Sequence, residues 1–362
     1  MRKTLMLVFS LGLMAGLAPW SRAARGAAAQ EQVTGDWSAK VRDTDKGKKL
    51  WLELRSEAPD KSRRFNMSSS DYNLEDFTGF NPNANGATQF ALSREAGDIV
   101  FTGLVSEGKG VGDFRFTPNG AYLAAMRNLG YDNIESDKQF ALALHDVSTR
   151  FVRETKTWGF DKLPLDKLIA FRIFKINADF IREMRDLGFK DLSPDKLISM
   201  KIHKVNAAFI KDVEALGFKD VGVDKLVAMR IHKVDREFIA KAQALGFNNL
   251  TIDQLITMRI HKIDEDFVKG VQALGFRDLP FDKLVAMRIH KIDGNFIKEM
   301  SDLGFSNLSV DKLMSMRIHR VNAQFVKEMR EAGYNNLTAD ELIQLRIHGV
   351  DGAYIKKMKG AQ

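Results

Sequence analysis

Two textures of hydrophobic patterning divide the chain. Between residues 33 and 118 apolar and polar residues alternate. Leu50, Leu52 and Leu54 face one way and Trp51 and Glu53 the other, and Phe90/Leu92, Ile99/Phe101 and Phe114/Phe116 repeat the pattern. A period of two marks half-buried strands. Glu95-Ala96-Gly97-Asp98 and Glu107-Gly108-Lys109-Gly110 read as hairpin turns. Roughly five to seven antiparallel strands follow from such spacing, as a sandwich or small barrel. Residues 68–87, rich in Asn, Gly and Ser, read as loop.

From residue 119 the period becomes helical and the sequence repeats itself. Gly130, Gly159, Gly188, Gly217, Gly246, Gly275, Gly304 and Gly333 fall 29 residues apart without one insertion. Fixed periods of this size mean stacked supersecondary units. In the unit "DLSPDKLISMKIHKVNAAFIKDVEALGF" (191–218), Ser193 suits an N-cap, Pro194 the first helical position and Asp195 the positive helix end. Asn206 caps a second helix, with Val205 and Ile210 as a hydrophobic staple. Gly217 supplies the left-handed end. Phe209, Ile210, Val213 and Leu216 make a stripe that one short hairpin cannot bury alone, so neighbours must cover it. The expected architecture is α+β in two domains: an antiparallel β domain over 33–118 and, over 119–362, an α-solenoid of eight 29-residue helical hairpins. The first hairpin departs from the others, with Gln139 for the usual Leu and Ala143 for the usual Arg, as a capping unit would.

The first 29 residues stand apart. Met1-Arg2-Lys3 precedes an uncharged apolar run from Leu5 to Leu17, and Ala27-Ala28-Ala29 fits a cleavage site. This predicts a signal peptide (1–29) and a periplasmic or secreted mature chain with no membrane span; a retained anchor is the alternative. The chain has no cysteine, which excludes disulfides and thiolate sites. Its formal charge of +8 includes four cations in the leader, and from residue 131 onward 38 Lys plus Arg stand against 33 Asp plus Glu, a net of +5. That balance argues against nucleic acid as a partner.

The recurrent chemistry lies in Arg-Ile-His-Lys. Seven histidines share one repeat position: His145, His203, His232, His261, His290, His319 and His348, with Phe174 in the remaining copy. Stacked helices sit about 8–10 Å apart, too far for neighbouring rings to share one zinc ion. No carboxylate is fixed beside them, and no H-E-x-x-H, G-x-S-x-G or phosphate loop occurs. The sequence therefore predicts no catalytic residue, metal or cofactor, and the histidines read as helix-end residues. The cation two positions earlier (Arg172, Lys201, Arg230, Arg259, Arg288, Arg317, Arg346) falls between core-facing residues and needs a partner. The expected partner is the acidic ladder Asp166, Asp195, Asp224, Asp253, Asp282, Asp311 and Asp340, or else the helix-end carbonyls of an adjacent hairpin. The cations after the histidines, Lys204, Lys233, Lys262, Lys291 and Arg320 with Lys175 before them, predict a basic edge able to dock an acidic partner. Asp43-Thr44-Asp45-Lys46-Gly47 reads as a hairpin turn rather than half a calcium loop, because Leu54 stands where Glu is needed.

The repeat "ALGF-x-D/N-L-x-x-D-K-L-x-x-M-RIH-K-V/I-D/N-x-x-F-I/V-K", with "GDFRFTPN" (112–119) leading into "LGY", resembles bacterial tail sequences. They follow the membrane domain in certain beta-lactam-sensor, antirepressor-type membrane zinc peptidases, and also occur in free-standing secreted proteins. The resemblance covers nearly all of the chain beyond the leader. It implies an extracytoplasmic sensing or interaction module and carries over no peptidase residue. The expected function is non-enzymatic binding through the repeat array to an unidentified protein or envelope component. The alternative is an envelope enzyme or small-ligand binder with its site in the β domain.

Overall fold

The computed structural model describes residues 33–45, 47–57 and 64–360. The predicted signal peptide lies outside the described residues. The chain divides into two compact units, the first ending at Leu163 and the second beginning at Pro164.

Among the described residues of the first unit six strands form one antiparallel sheet: β1 (Thr34–Thr44), β2 (Gly47–Glu57), β3 (Arg64–Asn73), β4 (Gly86–Arg94), β5 (Gly97–Ser106) and β6 (Lys109–Pro118), in the order β3-β2-β1-β6-β5-β4. The predicted turns close as hairpins, with Arg94 opposite Gly97 and Ser106 opposite Lys109. Thr44 opposite Gly47 closes the third, where half a calcium loop was the other reading. Of residues 68–87, expected as loop, 68–73 belong to β3 and 86–87 to β4; the serines at 68–70 break the apolar alternation and hid a strand that pairs with β2. The alternating residues all turn inward: Leu50, Leu52, Leu54, Phe90, Leu92, Ile99, Phe101, Phe114 and Phe116 are each at most 2% exposed. Trp37 meets Phe90 and Phe101 edge-on, and Phe90 stacks on Phe101 at 4.7 Å.

Helices α1 (Gly120–Asn128), α2 (Ser136–Leu144) and α3 (Thr149–Thr157) complete this unit. Phe140 of α2 stacks on Phe114 at 5.3 Å and meets Phe116 edge-on. Gln139, fully buried, donates through Nε2 to the carbonyls of Ala96 (2.7 Å) and Asn119 (3.0 Å). Thr149 binds Glu95 through both its backbone N–H and its hydroxyl. The residues that break the repeat consensus, Gln139 and the buried Ala143, are thus buried on the helix that covers the sheet, and this helix pair belongs to the sheet's unit rather than to the array that begins at 119 in the sequence reading.

Among its described residues the second unit holds fourteen helices of nine residues each, beginning with Leu165–Ile173 and Ala178–Asp186. The odd-numbered members start at 165, 194, 223, 252, 281, 310 and 339, one repeat apart. Ser193 Oγ accepts from Lys196 N–H and Asn206 Oδ1 from Phe209 N–H, as their cap positions require. Both helices of a pair end in the same six-residue motif. The N–H of Val205 returns to the Met200 carbonyl (2.8 Å) and that of Phe218 to Val213 (3.3 Å). That motif needs a left-handed residue. Gly217 provides it at φ +94°, but after the first helix the residue is Lys204 at φ +54°.

Candidate functional site

Like-numbered helices of successive repeats touch, Pro194–Ile202 against Val223–Ile231 and that helix against Ile252–Ile260, so each repeat position lies beside its own copy. This decides where the cations go. Arg230 lies 3.9 Å from the ring centroid of Phe209, Arg259 3.9 Å from Phe238, Arg288 4.3 Å from Phe267, Arg317 3.9 Å from Phe296 and Arg346 4.0 Å from Phe325. Lys201 takes the same seat 4.0 Å over Phe180, and partial burial pushes its pKa down. Arg259 also donates through Nε and Nη2 to the Lys233 carbonyl (3.1 and 2.7 Å), and Arg288 to the Lys262 carbonyl (3.0 and 2.6 Å). The Nε atoms of Arg230, Arg317 and Arg346 are buried without a hydrogen-bond partner.

Of the two expected partners, the helix-end carbonyl of the preceding hairpin is found for Arg259 and Arg288, and the Asp ladder is corrected. Asp195, Asp224, Asp253, Asp311 and Asp340 pair with a lysine of the preceding repeat: Lys167, Lys196 (3.4 Å), Lys225 (2.6 Å), Lys283 and Lys312. Asp and Arg occupy opposite ends of one helix, six residues or about 9 Å apart along its axis. In a stack of like beside like, each meets what its own end offers. At Asp282 the series breaks, because Gln254 replaces the lysine and closes a capping box with Thr251 instead. The carboxylate that Arg288 approaches, at 3.7 Å, is the N-cap Asp264.

His203, His232, His261, His290, His319 and His348 each cap the C-terminus of a first helix, as Phe174 does in its repeat. Among the described residues no group of three or more His, Asp or Glu gathers as a metal site. His145 caps α2 half-buried, and desolvation lowers its pKa to about 4.

Next to the histidines the surface has a feature that the sequence reading missed. The isoleucine that ends each first helix, from Ile173 through Ile202, Ile231, Ile260, Ile289 and Ile318 to Ile347, is 42–53% exposed. Two positions on, Lys175, Lys204, Lys233, Lys262, Lys291 and Arg320 are exposed and left-handed at φ +51° to +55°. The signal was present: an isoleucine that does not vary at the last helical position through seven repeats.

A cavity of about 820 Å³ lies on the last helix pair, lined by Tyr334, Leu345, Tyr354 and Met358 among others. Tyr354 and Met358 occupy the positions at which Phe325 and Met329 are buried one repeat earlier. Of its acids, Asp340 is paired with Lys312 and Glu341 serves the cap of Thr338. Among the described residues no helix is long and apolar enough to cross a membrane. Comparison with protein-family models, curated proteins and solved structures finds no match for this chain.

Proposed function

We propose that the protein is a non-enzymatic binding module of the bacterial envelope, exported by its leader, whose helical hairpins stack as an α-solenoid and present the Ile-His-Lys edge to a partner. One observation carries the reading. A left-handed conformation costs a residue with a Cβ about 1–2 kcal/mol, and glycine is the usual choice. The last repeat has glycine there, Gly349 at φ +69°, whereas six repeats keep Lys or Arg. The second helices of the same repeats use glycine at the equivalent turn. A strained cation, exposed and repeated, serves something other than folding.

The sheet supports a scaffold reading of its own unit, since Trp37, Phe77, Phe90 and Phe101 fill its inner face with interlocked rings. The test is capture from envelope extract by the whole chain and by a Lys204→Gln, Lys233→Gln, Lys262→Gln, Lys291→Gln variant. Gln keeps the backbone demand and removes the charge. The proposal expects the partner to be lost with the charge. Undiminished capture contradicts it.

A further inference from the structure

The edge proposed above as the binding surface has an apolar component as regular as its charge. Ile202, Ile231, Ile260, Ile289, Ile318 and Ile347 are about as invariant as the buried Leu197, Leu226 and Leu255, yet each is about half exposed. Other positions on the same helices drift: Ser199, Ala228, Thr257, Ala286 and Ser315 occupy one of them. None of these isoleucines lines the cavities of about 820, 630 and 250 Å³. They protrude at successive helix ends, and each of the first five stands two residues before a cation, Lys204, Lys233, Lys262, Lys291 or Arg320.

Resting on that reading, we propose that the edge docks on an anionic lipid surface, with isoleucines entering the interface and lysines reaching the headgroup charges. A peptide partner needs a groove with pockets that differ from site to site. A row of identical aliphatic side chains flanked by cations suits a partner that is laterally uniform and negative. Each basic residue near such a surface adds on the order of 1 kcal/mol. Six of them, together with the aliphatic row, therefore suffice for reversible docking without a membrane-spanning helix. The N-cap carboxylates on this side, Asp235, Asp264 and Asp293, accept from Phe238, Phe267 and Phe296 N–H of their own helices.

The chain contains no cysteine, so Ile260→Cys labels one edge position with an environment-sensitive fluorophore, and Gln272→Cys labels an exposed site near the far end of the next helix. Whole chain carrying either label is mixed with phosphatidylcholine vesicles, with or without about 30% phosphatidylglycerol. The proposal expects a blue shift and several-fold brightening at 260 with anionic vesicles only, reversed by high salt and abolished by Lys233→Gln, Lys262→Gln and Lys291→Gln together; the label at 272 stays unchanged. No change at 260, or an equal change at 272, overturns it. If the 260 label is silent on vesicles while the lysines remain necessary for capture from lipid-free extract, the lipid proposal falls and the binding edge stands. If the lysines matter in neither experiment, both fall.

Discussion

Arg259 donates two hydrogen bonds to the backbone carbonyl of Lys233, at 3.1 and 2.7 Å, while its guanidinium lies over the Phe238 ring, 3.9 Å from the centroid. A cation of one repeat therefore holds the residue that the previous repeat exposes in a strained conformation. Joint and surface are one construction, and a change to either is felt at the other.

The three arginines with unpartnered Nε atoms sharpen this. Arg317 stacks on Phe296 but leaves Nε buried and unbonded. Replacing Arg259 by Met should cost about 1–2 kcal/mol, since it removes two hydrogen bonds to the Lys233 carbonyl as well as the stack. Arg317→Met should be close to neutral, within about 1 kcal/mol, because a buried donor without a partner disappears with it. Urea unfolding followed by far-ultraviolet circular dichroism separates the two; equal costs would deny the carbonyl bond its role.

Gln139→Leu restores the repeat consensus and should nevertheless destabilise the first unit. The carbonyls of Ala96 and Asn119 lose the amide donor and keep only the backbone N–H of Asn119 and of Leu123, at about 0.5–1.5 kcal/mol for each bond lost, offset in part because the buried, unpartnered Oε1 of Gln139 goes with it. Trp20, Trp37, Trp51 and Trp158 are all the tryptophans of the chain, so intrinsic fluorescence reports on the part before residue 164. A stabilised or unchanged fluorescence transition would contradict the assignment.

Acid acts on the same unit through His145. Desolvation lowers its folded-state pKa to about 4 from 6.5, so between those values the unfolded chain binds a proton that the folded one refuses. Stability is thus unaffected above 6.5, falls as pH drops towards 4 and then levels off. His145→Phe, the residue found at the equivalent Phe174, should remove this part of the pH dependence from the fluorescence-detected transition. An unaltered slope between pH 4 and 6.5 would refute it.

The period, the caps, the staples and the alternating strands were legible because each is a local pattern that determines its own element. Ser193, Asn206 and Gly217 take the places that their chemistry demands. What the sequence hid was relational. Asp253 finds Lys225 rather than an arginine because helices stack like beside like, a fact about translation between repeats and not about one helix. Gln139 looked degenerate because its partners are carbonyls far away in the chain, and the end of β3 looked like loop because Ser68, Ser69 and Ser70 break the apolar alternation. The exposed isoleucines escaped because helical periodicity assigns an apolar residue to the core unless the packing denies it a place there.

The account rests most heavily on the left-handed cations being kept against the interest of the fold. Lys233→Gly, Lys262→Gly and Lys291→Gly together should relieve backbone strain at each site, offset by the greater freedom of glycine in the unfolded chain, for a net gain of about 0.5–1 kcal/mol per site. Chemical denaturation of the whole chain should show the helical transition moved to higher urea. A transition at the same or lower urea would mean that the lysines serve the fold after all, and would contradict the reading of this edge as a surface maintained for binding.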